Sequence, residues 1–170
     1  TSSTTPTTGN WGHIEFYDTA VDAACIIRNV KFQFGASGGN TNGVITVNSA
    51  SPRCARLEFF QNATAFTIAG NSSPSLDSLD IFNCTNLPIC TSLISSPVYG
   101  NTINFANCAY LGLGILGETI AQDVMLGPGR IGSYSNLNYI LAGNVTIAFG
   151  AKWTIRPGLV IKAGRVGYGD

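Results

Sequence analysis

The residues of this chain that could do chemistry are few and scattered. The densest charged group is Glu58, Asp77 and Asp80, with Arg53 and Arg56 nearby. Clustered carboxylates are what a polysaccharide lyase or glycoside hydrolase needs, to hold Ca²⁺ or to divide acid and base roles. Nine acids spread over 170 residues make a poor catalytic groove, and ion pairing explains them equally well. His13 is the single histidine, so a Ser-His-Asp triad would have to use it. It sits in Trp11-Gly-His-Ile14, where an outward position on a strand is expected, and the sequence has no Gly-x-Ser-x-Gly elbow. No catalytic residue, metal or cofactor is expected.

Five cysteines, Cys25, Cys54, Cys84, Cys90 and Cys108, form no CxxC or CxxH pair, which leaves a zinc site without support. An odd count leaves at least one thiol unpaired within the chain, and buried thiols acting as small hydrophobes are expected. Four N-x-Ser/Thr sequons begin at Asn62, Asn71, Asn83 and Asn144. Asn71 lies in a loop and Asn144 at a turn, so both should be accessible. Asn83 is expected to face outward, whereas Asn62 is expected to be a buried corner residue that hydrogen-bonds along a stack. Trp11, Phe16, Tyr17, Phe60, Phe82 and Tyr168 could offer a stacking platform for a sugar, though ordinary packing accounts for them as well.

A rhythm in the chain must position all of these. Ser51-Pro52, Ser73-Pro74 and Ser96-Pro97 recur at intervals of 22 and 23 residues. Each opens the same pattern, the third copy with one residue inserted, and an earlier copy starts near Ala24. Counting from each opening residue, the third position holds Ile27, Cys54 and Leu76. The sixth holds Val30, Leu57 and Leu79, and the eighth Phe32, Phe59, Ile81 and, with the insertion, Phe105. The alternation slips by one between the third and sixth positions, which marks a bend. A repeat this short cannot bury its own core, so its copies must stack, and the inward slots should form a core ladder of like on like. On the outward side, Lys31 falls beside Glu58, Glu58 beside Asp80, and Phe60 beside Phe82 as a candidate lateral contact.

Helical periodicity is nearly absent, and short apolar runs are broken by Gly, Asn, Ser and Pro. The fold class expected is all-β: a right-handed parallel β-helix, a solenoid with rungs of about 22–27 residues. Residues 1–10 read as a polar Ser/Thr/Pro linker, 11–118 as rungs, 119–142 as an irregular excursion and 143–170 as further rungs. Charged residues make up 11% of the chain and the formal net charge is zero. That argues against nucleic acid, which needs a basic stripe, and no apolar run reaches the length of a membrane span.

Two segments carry a family resemblance. Gly143-Asn-Val-Thr-Ile-Ala-Phe-Gly150-Ala-Lys-Trp-Thr-Ile-Arg-Pro-Gly158-Leu-Val-Ile-Lys-Ala163 resembles the recurring xVTIxxGaxLTIxPGxVIK segment of bacterial secreted, adhesin-like surface proteins with parallel β-helix (PbH1-type) repeats. Gly9-Asn-Trp-Gly12-His-Ile-Glu-Phe16 resembles their GxWGxIxF segment. Trp153 stands where leucine is commoner, and Arg156 where glutamate is. In that family the first segment usually precedes the second, so the resemblance implies one period of a tandem array. It carries no catalytic residues. The function expected is a structural repeat of an extracellular fibre or surface filament, stacking head to tail on copies of itself. The alternatives are a carbohydrate-binding adhesin module, with glycans as partners, and a polysaccharide lyase or glycoside hydrolase.

Overall fold

The computed structural model describes residues 5–39, 41–135 and 137–163. Seven parallel strands form one sheet: Ile14–Phe16, Ile45–Asn48, Phe66–Ala69, Ile89–Thr91, Leu113–Ile115, Tyr139–Leu141 and Ile161–Ala163. Their order in space is their order along the chain. Between members the chain leaves, crosses the other faces and returns one level on, which makes a β-solenoid of about six turns. The only helical element among the described residues is a short 3-10 turn at Asp22–Ala24.

The second sheet stacks Ile26–Gln33, Arg53–Phe60 and Ser75–Phe82, and both Val98–Tyr99 and Ile103–Ala106 then pair with Ser75–Phe82. The Ser-Pro rhythm is its register. Ile27 lies opposite Cys54, and Cys54 opposite Leu76. Val30, Leu57, Leu79 and Ile103 form one column; Phe32, Phe59, Ile81 and Phe105 form the next. The proline carbonyls take part in the ladder: Ser75 N donates to Pro52 O at 3.1 Å and Val98 N to Pro74 O at 2.9 Å.

The slipped alternation is a backbone corner. Asn29, Arg56 and Ser78, all at the fifth position, have φ of 57°, 55° and 54°. A second column of left-handed residues, Phe34, Gln61, Asn83 and Asn107, ends the same strands at 62°, 55°, 55° and 54°. Asparagine tolerates this region; arginine, phenylalanine and glutamine occupy it at a cost of about 1–3 kcal/mol each. Arg56 and Gln61 have a rung on both sides, and Phe34 is held from the open side by Asn10 N, which donates to Phe34 O at 2.8 Å. The corners turn alternate side chains of each rung into one lumen. Phe32 stacks on Phe59 at 5.3 Å, and Phe59 meets Phe66 edge-on at 5.2 Å.

Each rung shields its neighbour. Val30 and Ile27 occupy the inward slots expected for core residues, but among the described residues no further strand stacks on the outer side of this rung. Val30 is 37% exposed and Ile27 only half-buried, whereas Leu57 is 2% exposed and Leu79 fully buried. The expectation of a buried Val30 is thus corrected by its place at the end of the column. Phe32 escapes this fate because Trp11 covers it, with ring centroids 6.2 Å apart. The Trp11 indole N–H donates to Gln33 O at 2.6 Å. A Cβ on Gly35 would stand 2.6 Å from the indole, so that position must be glycine for the indole to lie there. Residues 7–10 are therefore no free linker: Thr8 Oγ1 donates to Gln61 O and Asn10 N to Phe34 O. Residues 1–4 lie outside the described residues, as do 164–170 at the other end.

The stretch 119–142 is less irregular than its sequence suggests. Glu118–Ile120 and Val124–Leu126 pair in parallel with Val145–Ile147 and Trp153–Ile155. They do not pair with Val98–Tyr99 or Ile103–Ala106, so two faces change partners at this level. The spacing explains this: six residues lie between Thr91 and Val98, but only two between Ile115 and Glu118. The gap is closed by a small antiparallel hairpin, Arg130–Ile131 with Tyr134–Ser135. Tyr134 stacks on Phe105 at 5.2 Å, accepts a hydrogen bond from Phe105 N at 3.0 Å and donates one to Phe105 O at 3.1 Å. Glu118 serves the same break, accepting from Ser92 Oγ at 2.5 Å and Leu93 N at 2.6 Å.

Candidate functional site

The two ends of the described solenoid share one property. Ile26–Gln33 and Ile14–Phe16 each pair on one side only, as do Val145–Ile147, Trp153–Ile155 and Ile161–Ala163 at the far end. Their outer edges carry main-chain donors and acceptors without a strand partner among the described residues. Side chains at these edges are exposed where the next rung inward is not. Ile147 is 38% exposed against 0% for its register partner Ile120; Ile155 is 47% exposed against 8% for its register partner Leu126.

On the flank, the column of left-handed corners dishes the surface into an open groove of about 420 Å³. Asn29, Lys31, Arg56, Glu58, Ser78 and Asp80 are among its lining. Lys31 Nζ lies 2.6 Å from Glu58 Oε1, as the stacked register demands, and 5.3 Å from the centre of the Phe60 ring. Glu58 is the register neighbour of Asp80, whose Oδ1 accepts from Asn104 Nδ2 at 2.8 Å. Asp77 is not part of this group. It sits on the other side of the corner against Gly100, where a Cβ would collide with its carboxylate. The three acids expected to cluster are thus divided two and one. No group of three or more potential metal ligands exists among the described residues.

Phe60 and Phe82 are register partners on the outward face, each half-buried. The other aromatics do not join them. Trp11 and Phe16 pack against the core, Tyr17 is exposed beside Glu15, and Tyr168 lies outside the described residues. His13 Nε2 stands 3.3 Å from Glu15 Oε2, which also accepts from Tyr17 Oη at 2.9 Å. These three side chains share one face of an edge strand. The hydrogen bond to the Glu15 carboxylate raises the Tyr17 phenol above its usual range.

The sequons separate by burial. Asn71 and Asn144 are exposed and Asn83 is half-buried. Asn62 is fully buried: its Oδ1 accepts from Gly35 N at 2.7 Å and its Nδ2 donates to Phe32 O at 3.0 Å. It ties two rungs together at a corner and has no room for a glycan.

All five cysteines are free. Burial pushes the Cys54 and Cys90 thiols up to about 12. The neighbouring Cys108 thiol, aided by burial, raises the Cys84 thiol, and the neighbouring Cys84 thiol lowers that of Cys108; the Cys108 sulfur itself lies 3.7 Å from Ala106 O and 3.8 Å from Ile81 O.

No family model, curated protein or solved structure matches the chain.

The sequence did not reveal Trp11 as a lid on Phe32, Tyr134 as the closure over Phe105, or Glu118 as the acceptor at the break. The only signal for Trp11 was its place in a Gly-x-Trp-Gly run. Tyr134 and Glu118 carry none, because each acts on residues 25 to 29 positions away.

Proposed function

We propose that this chain is a structural repeat unit of an extracellular fibre or surface filament, stacking head to tail. The observation that supports it is the pair of open rungs. A first-rung edge cannot continue the parallel stack by meeting another first-rung edge; it matches a last-rung edge. Such a contact is heterologous and propagates. Each junction would extend the strand ladders and cover Val30, Ile147 and Ile155, which the solenoid's own rungs leave open. A net charge of zero puts little repulsion between copies. The next copy is either a separate chain or a tandem neighbour in the same polypeptide. The extracellular setting is argued from the low charge, the Ser/Thr/Asn-rich composition and the likeness to adhesin-like β-helix proteins.

Sedimentation velocity over a rising concentration series tests this. Mass should grow with concentration, and Ile147→Lys with Ile155→Lys should hold the chain monomeric while its circular dichroism is unchanged. A monomer at every concentration would refute it.

A second reading is favoured by the flank groove, whose cation, carboxylates and amide suit a sugar's hydroxyls. An adhesin module would bind members of a glycan array as a monomer and lose binding on Asp80→Ala.

A further inference from the structure

The eleventh position of the rung stacks Gly35, Asn62, Cys84 and Cys108 in one column. Phe82 is the register partner of Ala106, which places Cys84 directly over Cys108 two residues later. The backbone holds that alignment on both sides: Asn83 N donates to Ala106 O at 3.0 Å, and Ala109 N to Cys84 O at 2.9 Å. Each cysteine follows an asparagine in the same left-handed conformation, Asn83 at 55° and Asn107 at 54°, so both Cβ atoms leave the backbone in the same direction. Stacked parallel strands set the Cα atoms about 4.8 Å apart, inside the range a disulfide spans. From that spacing the Cβ atoms must approach by about 0.3 Å to enter the range a disulfide tolerates and by about 1 Å to reach its usual separation. The sequence alone suggests that this spacing is too wide and that both thiols are inert; the shared register and the matching left-handed corners turn the two side chains toward the same side of adjacent rungs.

We infer that Cys84 and Cys108 are a covalent cross-linking pair, joined by a hydroperoxide into a disulfide that staples two adjacent rungs. The roles are unequal. Cys108 is half-buried and Cys84 buried, so the oxidant reaches Cys108 first. The Cys108 sulfur attacks the peroxide, the O–O bond breaks, and a sulfenic acid forms with release of water. Cys84 then attacks that sulfur. The S–S bond forms as the S–O bond breaks, and the departing hydroxide leaves as water with the Cys84 proton. Two thiols and one hydrogen peroxide give one disulfide and two waters. The other thiols have no such neighbour. Cys54 stacks between Ile27 and Leu76, and Cys90 between Thr67 and Gly114.

The test treats the whole folded chain with one equivalent of hydrogen peroxide, then counts thiols after unfolding and maps chymotryptic peptides by tandem mass spectrometry. Two of the five thiols should be lost, with a single link between Cys84 and Cys108, lighter by two hydrogens, and a higher urea midpoint that reductant reverses. In Cys84→Ser, Cys108 should instead be trapped by dimedone as a sulfenic acid. Retention of all five thiols, a link through Cys90, or over-oxidised Cys108 without a link in the unsubstituted chain would each overturn the proposal. The unsubstituted chain decides the matter even where the variant fails to fold.

Discussion

Asn62→Ala should be among the most damaging substitutions of a polar residue in this chain. The side chain satisfies two main-chain groups that the corner turns away from the ladder: Gly35 N–H at 2.7 Å and Phe32 C=O at 3.0 Å. Alanine leaves both without a partner in a fully buried place. An unsatisfied buried donor or acceptor costs about 1–3 kcal/mol. The two groups belong to the first rung, which Trp11 covers, and water entering there recovers part of the loss. The expected cost is about 2–4 kcal/mol, a large share of the 5–15 kcal/mol typical of a domain. Asn62→Asp separates the two bonds. Aspartate still accepts from Gly35 but, when ionised, faces the Phe32 carbonyl with a buried charge. Its folded-state pKa would be raised, so its contribution is retained at low pH and lost as pH rises through that value. This variant should therefore be closer to the unsubstituted chain at pH 4 than at pH 7. Asn71→Ala, an exposed asparagine of the same rung architecture, should stay within about 0.5 kcal/mol. Urea titration at constant m-value reads all three. A midpoint for Asn62→Ala equal to that of Asn71→Ala would refute the role assigned to this residue.

Position in the stack should set the cost of core truncation. Leu79→Ala, with Leu57 and Ile103 on either side, should lose about 2–5 kcal/mol, and Val30→Ala at the open end about 1 kcal/mol in dilute solution, as urea midpoints would show. The Lys31–Glu58 pair is nearly half exposed on both sides, so Lys31→Met should change stability by less than about 1 kcal/mol, and a double-mutant cycle should show that this shrinks in molar salt. The Trp153 indole N–H is buried without a hydrogen-bond partner among the described residues, so Trp153→Phe should be neutral or slightly stabilising in thermal melts, although it removes ring volume.

Much of the fold was legible because the solenoid repeats its demands. Leu57 over Leu79 and Ile81 over Phe105 follow from the Ser-Pro phase, and Lys31 beside Glu58 follows from the same count. Asn62 could be placed in a buried corner because its slot is shared with two cysteines. The rest was hidden for physical reasons. Val30 has the right residue type for a core slot, but its exposure is decided by its place on an edge strand, with a strand partner on one side only among the described residues. Glu118–Ile120 and Val124–Leu126 are three-residue strands, too short for their own alternation to declare them; their partners lie almost thirty residues on. The approach of Cys84 to Cys108 depends on side-chain direction at a left-handed corner, which position counting does not supply. The carboxylates looked like one group in sequence, yet the corner at Ser78 sends Asp77 and Asp80 to different faces.

Cryo-electron microscopy of the concentrated protein addresses the open-ended stack most directly. Unbranched filaments one solenoid wide are expected, with layer lines near 4.8 Å that run without interruption across the junctions. Single particles of one chain's length at every concentration, or filaments joined through their flanks, would contradict it.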